Sequence, residues 1–145
     1  MTLQGWFWAA LARWFDARDL SGVAETCLRH AAATEGRVAL DSAWRIGKRL
    51  LDQDRNLEAA RILQALIERD PGHVRGWCAL GAARRRLAEM EAARSAFERA
   101  LELDPGFAPA RNNLGEWLLM KGDSEAALAE FDRAIADSPE LLEAA

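Results

Sequence analysis

The chain repeats itself with a period of about 34 residues, and this period constrains its fold more than any other feature of the sequence. Two segments align without a gap, so that six apolar, small or proline positions of the first recur in the second. The six pairs are Leu80 and Leu114, Gly81 and Gly115, Ala93 and Ala127, Phe97 and Phe131, Ala100 and Ala134, and Pro105 and Pro139. A fixed period of this length is typical of a solenoid built from stacked supersecondary units.

Two further copies precede this pair. Gly47 and Pro71 lie one period before Gly81 and Pro105, with apolar residues at the matching positions. A fainter copy comes first in the chain, and aligning it with the next copy requires one extra residue between them. Gly36 in this first copy is at the position where the later copies have proline. We therefore predict a single domain over 1–145, with repeats at about 5–38, 40–73, 74–107 and 108–141 and a C-terminal tail or incomplete capping helix at 138–145.

Each repeat is predicted to form two helices, because apolar residues recur at three- and four-residue spacing. The predicted helices span residues 5–17, 22–34, 41–52, 57–69, 74–86, 91–103, 108–120 and 125–137. Gly81 and Gly115 would cost about 1 kcal/mol each in a helix interior, and they are tolerable if the facing helix approaches closely. Phe97 and Phe131 are then expected to fill the remaining space as the large side chains of the core.

The turns between the predicted helices have their own signals. Pro71 and Pro105 each follow an aspartate, and we expect each proline to end one helix and to start the next. Gly122 is expected to adopt the left-handed conformation after a helix, and Asp123 or Ser124 to cap the helix that follows.

The motif resembles the tetratricopeptide repeat (TPR) family, and the resemblance covers nearly the whole chain. In the third repeat it is carried by Trp77, Leu80, Gly81, Ala93, Phe97, Ala100 and Pro105. Arg84 departs from the aromatic residue that the family usually has at this place. The resemblance implies an all-α fold, an α-solenoid in which four helix-turn-helix hairpins, about eight helices, stack into a right-handed superhelix. It also implies that the first helix of each hairpin lines a concave groove that binds a peptide or helix of a partner protein.

By this resemblance, ten residues are candidates for the partner-binding groove. They are Arg13, Asp41, Trp44, Arg45, Lys48, Arg75, Cys78, Asn112, Asn113 and Glu116. Arg45 and Lys48 beside Trp44 suit a partner segment that carries acidic residues and an apolar anchor. The alternative is that these basic residues pair with neighbouring acids as a solvated surface. Asn113 matches a place where family members often use asparagine to hydrogen-bond the backbone of a ligand.

Two classes of function remain open at this point. The first is a cytoplasmic adaptor or chaperone, serving a bacterial assembly or secretion apparatus; the preference for arginine over lysine hints at a GC-rich bacterial genome. The second is a scaffold that self-associates through uncapped ends of the repeat array. An aromatic cluster in the first predicted helix, Trp6, Phe7, Trp14 and Phe15, either covers the open end of the first repeat or forms a contact surface.

Composition argues against several other classes. The net charge of −4 provides no basic field for nucleic acid. The apolar run at 6–12 ends at Arg13, too short for a membrane-spanning helix, and Cys27 and Cys78 do not make a disulfide framework.

The sequence carries no recognisable catalytic or metal-binding motif. His30 and His73 fall on unrelated parts of the repeat, so we expect no enzyme, metal or cofactor. With no histidine placed beside it, Cys78 is expected to be a small apolar residue rather than a reactive thiol.

Overall fold

The computed structural model describes residues 37–137, together with Ala10 and Thr26 as isolated helical positions. The predicted helices at 5–17 and 22–34, the groove candidate Arg13, the N-terminal aromatic cluster and the tail at 138–145 lie outside the described residues. The prediction of about eight helices therefore stays a prediction at its N-terminal end.

Between residues 37 and 137 every regular element is an α-helix. The six helices are α1 (Arg37–Asp52), α2 (Asn56–Arg69), α3 (Val74–Arg86), α4 (Met90–Leu103), α5 (Ala108–Lys121) and α6 (Ser124–Asp137). Five of them match the predicted bounds to within one residue at each end. The exception is α1, which also includes positions 37–40, where Ala39 is fully buried and extends the packed side of the helix.

The three helical hairpins, α1–α2, α3–α4 and α5–α6, turn in the same way. A residue with positive φ follows the first helix of each hairpin: Asp54 at 58°, Ala88 at 62° and Gly122 at 85°. These three positions are spaced one period apart, so the turn repeats with the sequence. The prediction for Gly122 is confirmed, and the Asp123 side chain caps α6 by accepting a hydrogen bond from the Ala126 backbone N–H at 3.1 Å.

The connections between hairpins differ from what the sequence predicted. Pro71 and Pro105 lie in turns that end the preceding helix, but neither begins the next one. The next helix instead begins three residues later, at Val74 and at Ala108. The His73 side chain caps α3, its Nδ1 accepting a hydrogen bond from the Gly76 N–H at 2.9 Å.

The chain divides into two compact units, Met1–Pro71 and Gly72–Ala145. In the first unit α1 packs on α2, and the Cβ of an alanine at Gly47 would lie 2.6 Å from Leu63 Cδ2. In the second unit α3 packs on α4, α5 packs on α6, and α4 also packs on α5. The prediction of one domain with four repeats over 1–145 stays a prediction.

The core of the second unit has the composition that the repeat predicted. Gly81 faces Phe97 and Gly115 faces Phe131, so closely that an added Cβ would lie 2.5 Å and 2.6 Å from the respective rings. Phe97 is fully buried, in a cluster with Ala93, Ala100, Cys78 and Ala110. The small residues therefore allow the close helix approach that their spacing predicted.

Candidate functional site

The first helices of the two hairpins in the second unit carry the groove candidates on one side each. On α5, the candidates continue a stripe of exposed or half-buried side chains at helical spacing: Asn112, Asn113, Glu116, Leu119 and Met120. Residues three, four and seven apart share a helix face. On α3, the equivalent stripe contains Arg75, Cys78 and Arg85. We call these eight residues the α3–α5 face.

Two side-chain contacts join the two helices across this face. The Asn113 carboxamide Nδ2 donates to the Cys78 Sγ at 3.4 Å and to the Pro109 carbonyl oxygen at 2.9 Å. The Arg85 guanidinium pairs with the Glu116 carboxylate. Cys78, Asn113 and Glu116, which the sequence analysis selected from successive repeats, therefore lie next to one another in the structure.

Cys78 is structural in character rather than reactive. Its side chain is 8% exposed, and burial raises the pKa of the Cys78 thiol to about 11, although the hydrogen bond from Asn113 acts in the opposite direction. Since the thiolate is the nucleophile, a raised pKa leaves the group inert near neutral pH. This agrees with its predicted role as a small apolar residue.

Hydrogen-bonding capacity is nevertheless left over on this face. The Asn112 side chain makes no hydrogen bond within the part of the chain that the structure describes, and the Asn113 Oδ1 accepts none there. The Arg85 Nε is buried without a partner in residues 37–137. The two asparagine amides are solvent-accessible, so they can exchange water for the backbone of an incoming segment beside the ion pair.

The sequence analysis missed the apolar part of the face. Leu119 is 49% exposed and Met120 is 64% exposed, so the stripe ends in two large apolar side chains that solvent reaches. The signal was present in the repeat itself. Leu119 and Met120 are three and four residues beyond the predicted groove residue Glu116, on the same helix face.

Apart from Arg13, which is outside the described residues, the remaining groove candidates lie on α1 in the other unit. Asp41 and Lys48 are exposed, while Trp44 and Arg45 are half-buried. The Lys48 Nζ lies 5.9 Å from the centre of the Trp44 ring, within the range of a cation–π contact. Their part in binding stays a prediction, as does that of Arg75, which is exposed on α3.

A concave region of the described chain lies between α4 and α5, on the side where Trp117 packs. This open cleft of about 620 Å³ is lined by Arg94, Lys121, Glu91 and Glu98, among others. Arg94 and Lys121 lie over the Trp117 ring, 5.1 Å and 5.4 Å from its centre, and each is paired with one of the two glutamates. These charges neutralise one another at the surface and offer no acid–base pair for catalysis.

Within residues 37–137 no group of histidine, cysteine or carboxylate side chains could hold a metal ion. None of the helices described in that range is both long and apolar enough to cross a membrane.

Comparison with known protein families identifies the family to which the chain belongs. Two family models, both described as tetratricopeptide repeat, match the sequence over residues 45–107 and 86–145. The chain belongs to the tetratricopeptide repeat family. The predicted resemblance is confirmed, and the described residues form an all-α TPR array with six helices. TPR arrays are typically non-enzymatic scaffolds for protein interaction.

Solved structures share the fold of this TPR protein. MamA has a TM-score of 0.76 at 18% identity, covering 94% of this chain and 79% of its own. YrrB, described as a TPR protein with an unusual peptide-binding site, has a TM-score of 0.75 at 23% identity, covering 91% of this chain and 68% of its own. The type III secretion translocator chaperone SycD of Yersinia enterocolitica has a TM-score of 0.68 at 23% identity, covering 74% of this chain and 84% of its own. No curated protein matches the sequence.

Proposed function

We propose that this TPR protein binds a peptide or helix of a partner protein on its α3–α5 face. The observation that carries the proposal is the stripe on α5, where the Asn112 amide and the Asn113 Oδ1, which have no partner in the described residues, lead to the exposed side chains of Leu119 and Met120. A peptide-binding surface needs an apolar anchor position together with polar groups that fix the orientation of the bound backbone. This stripe has both.

The charges near this stripe favour an acidic partner segment. Arg75 and Arg86 are exposed on α3, and Arg85 pairs with Glu116. On α1, in the other unit, Arg45 and Lys48 beside Trp44 suit acidic residues of a bound segment by the same chemistry, as the sequence analysis predicted. We therefore propose a partner segment with carboxylate side chains and at least one large apolar residue.

The biological role that fits this chemistry is an adaptor or chaperone in the bacterial cytoplasm, for an assembly or secretion system. Support comes from the fold that the chain shares with a peptide-binding TPR protein and with a secretion chaperone. Because each of these two likenesses has only 23% identity, the partner itself has to be found by experiment.

Selection from a displayed peptide library tests the proposal. Peptides are selected on the wild-type chain and then measured against the double variant Asn112→Ala/Met120→Asp. Both positions are solvent-accessible, so the fold should be retained. We expect the selected peptides to be acidic and to lose about tenfold or more in affinity for the variant.

A matched control variant is Arg99→Ala, at an exposed site on α4 away from the α3–α5 face, which should bind the selected peptides like the wild type. Charge reversal at Arg45 and Lys48 tests the contribution of α1 separately. If selected peptides bind the double variant as tightly as the wild type, the α3–α5 face is not the binding surface.

A further inference from the structure

The side of α6 that points away from α5 repeats a surface that is covered elsewhere in the molecule. Its side chains are three and four residues apart and form one stripe, which we call the outer face of α6: Glu125, Leu128, Asp132 and Ile135. The residues of α4 in the same register, one period earlier, are Glu91, Arg94, Glu98 and Leu101. Because α4 is packed against α5, it shows what kind of helix covers such a face.

The α4 residues contact α5 through charge and ring contacts. Glu91 pairs with Lys121 of α5 at 3.1 Å, and the Arg94 guanidinium lies 5.1 Å from the centre of the Trp117 ring. Leu101 packs on the core cluster that includes Ala110 of α5. The covering helix therefore supplies a lysine near the N-terminus of α4, a large ring along its length, and small apolar residues at its other end.

The outer face of α6 is exposed and more apolar than its α4 counterpart. Leu128, in the register of Arg94, is 61% exposed, and Ile135, in the register of Leu101, is 39% exposed. Glu125 and Asp132 flank these side chains, are exposed, and make no ion pair within residues 37–137. The outer face of α6 thus combines two exposed apolar side chains with two carboxylates that no basic side chain pairs with in the described residues. None of its four residues is basic.

We propose that the outer face of α6 binds an amphipathic helix of a partner protein with a basic rim. The partner's apolar residues, at positions three and four apart, would pack on Leu128 and Ile135, and its lysine or arginine side chains would pair with Glu125 and Asp132. This surface is separate from the α3–α5 face, and its partner chemistry is opposite in charge.

Charge argues against a second copy of this chain as the occupant. A two-fold contact between two outer faces in antiparallel orientation would bring Leu128 opposite Asp132 and Glu125 opposite Ile135. Each carboxylate would then lose water against an aliphatic side chain without gaining a cation, which is unfavourable. A basic partner helix avoids this cost.

The test uses a helix that the chain itself supplies. A labelled peptide of residues 107–121, the sequence of α5 with its capping residue, is titrated into the full-length protein and its fluorescence anisotropy measured. We expect saturable binding that Leu128→Asp weakens about tenfold or more. The matched control is Leu57→Asp, which changes a side chain of similar exposure on α2 and should alter the affinity by less than about twofold.

A charge exchange provides a second, independent variant. The peptide with Lys121→Glu should bind the wild-type protein more weakly, and the protein variant Glu125→Lys should restore its binding. A destabilised fold would not produce such restoration.

Three results would overturn the proposal. If the peptide does not bind, or binds equally to Leu128→Asp, the outer face does not accept a basic amphipathic helix. If the protein sediments as a dimer that Leu128→Asp dissociates, the occupant is a second copy. If the peptide binds only to the variant Leu141→Asp/Leu142→Asp, the occupant is the C-terminal segment of the chain itself.

Discussion

Gly81 and Phe97 show how a single hydrogen in place of a methyl group sets the distance between two helices. A Cβ at position 81 would lie 2.5 Å from Cε1 of the Phe97 ring, and the ring is fully buried. A flat ring held on all sides cannot move away by the distance that a methyl group requires. At this position the packing cost therefore exceeds the helix propensity that alanine would add.

Gly81→Ala should lower the free energy of unfolding by about 1–3 kcal/mol, since overpacking outweighs a propensity gain of about 1 kcal/mol. Urea denaturation measures the change. The double variant Gly81→Ala/Phe97→Leu should be less destabilised than the sum of its single variants, because the smaller side chain makes room for the methyl group. Gly106→Ala, at an exposed turn with no atom closer than 3.6 Å, serves as a control that should be nearly neutral.

The Cys78 thiol makes stability depend on pH in a defined direction. The pKa is about 11 in the folded protein and 9.0 for the unperturbed group. Below pH 9 both states are protonated, whereas between pH 9 and 11 the unfolded chain ionises first, so stability falls as pH rises. In a Cys27→Ser background, we expect a loss of about 2–3 kcal/mol across this window relative to Cys27→Ser/Cys78→Ala. If the thiol had the same pKa in the folded and unfolded states, the two proteins would instead show the same dependence of stability on pH from pH 8 upwards.

At the scale of the helices, the turn inside each hairpin requires a left-handed residue, but glycine is present in only one of the three described hairpins. Asp54 and Ala88 adopt φ values of 58° and 62°, where Gly122 adopts 85°. A Cβ in this conformation crowds the following carbonyl oxygen, at a cost of roughly 1–2 kcal/mol. The hairpins therefore hold two strained turns, which helix packing on either side maintains.

Ala88→Gly should stabilise the protein by about 0.5–1 kcal/mol, because relief of the strain exceeds the entropy that glycine adds to the unfolded chain. Gly122→Ala should destabilise it by about 1 kcal/mol, although no atom lies within 4 Å of the new methyl group. Thermal or urea denaturation of the two variants gives opposite shifts if backbone conformation is the cause. Shifts of the same sign would rule it out.

Arg111 joins α5 to α6 in the place where the previous repeat has Trp77. Its guanidinium pairs with Glu130 at 3.2 Å and with Asp137 at 2.8 Å, and it donates to the Pro105 carbonyl oxygen. The side chains of Arg111 and Glu130 are 17% and 14% exposed. Partial burial strengthens the Coulomb attraction within these ion pairs but also costs desolvation, and it makes a lost partner more costly than at the surface.

Arg111→Met should reduce stability by about 1–3 kcal/mol, since it leaves the Asp137 carboxylate and the Pro105 carbonyl oxygen without this donor and removes one of the two cations paired with Glu130. Arg133→Ala provides a matched comparison, because Arg133 pairs with the same Glu130 from a side chain that is 63% exposed. That variant should change stability by less than about 0.5 kcal/mol. Equal effects of the two substitutions in urea denaturation would mean that burial does not strengthen the Arg111 network.

At the scale of the whole molecule, a repeat array differs from a globular domain because each repeat is buried by its neighbours. Phe97 and Phe131 have the same place in the repeat, yet Phe97 is fully buried while Phe131 is only partly buried. The difference follows from α5, which packs on α4. Stability in such arrays is approximately a sum of repeat and interface contributions.

Phe97→Ala should therefore cost about 3–5 kcal/mol, and Phe131→Ala about 1–3 kcal/mol, although the sequence analysis gave both the same role in the core. Urea denaturation measures the free energy of unfolding of each variant. Hydrogen exchange should show the loss of protection for Phe97→Ala throughout α3, α4 and α5, because its core cluster draws on all three helices. Equal losses for the two phenylalanines would contradict the difference in burial.

The sequence by itself determined the positions of the helices and the small residues where helices approach. The register of the repeat located five of six described helices to within one residue and selected Gly81 and Gly115 as sites of close packing. Helix formation and turn chemistry depend on neighbours within a few residues, and an internal repeat presents the same local signal several times.

Only the tertiary structure decided which side chains are covered and which pair across helices. The ion pairs of Arg111, the exposure of Leu119 and Met120, and the unequal burial of Phe97 and Phe131 depend on which helix packs alongside. Such contacts join residues far apart in the chain, where side-chain reach and the removal of water set the outcome rather than local periodicity.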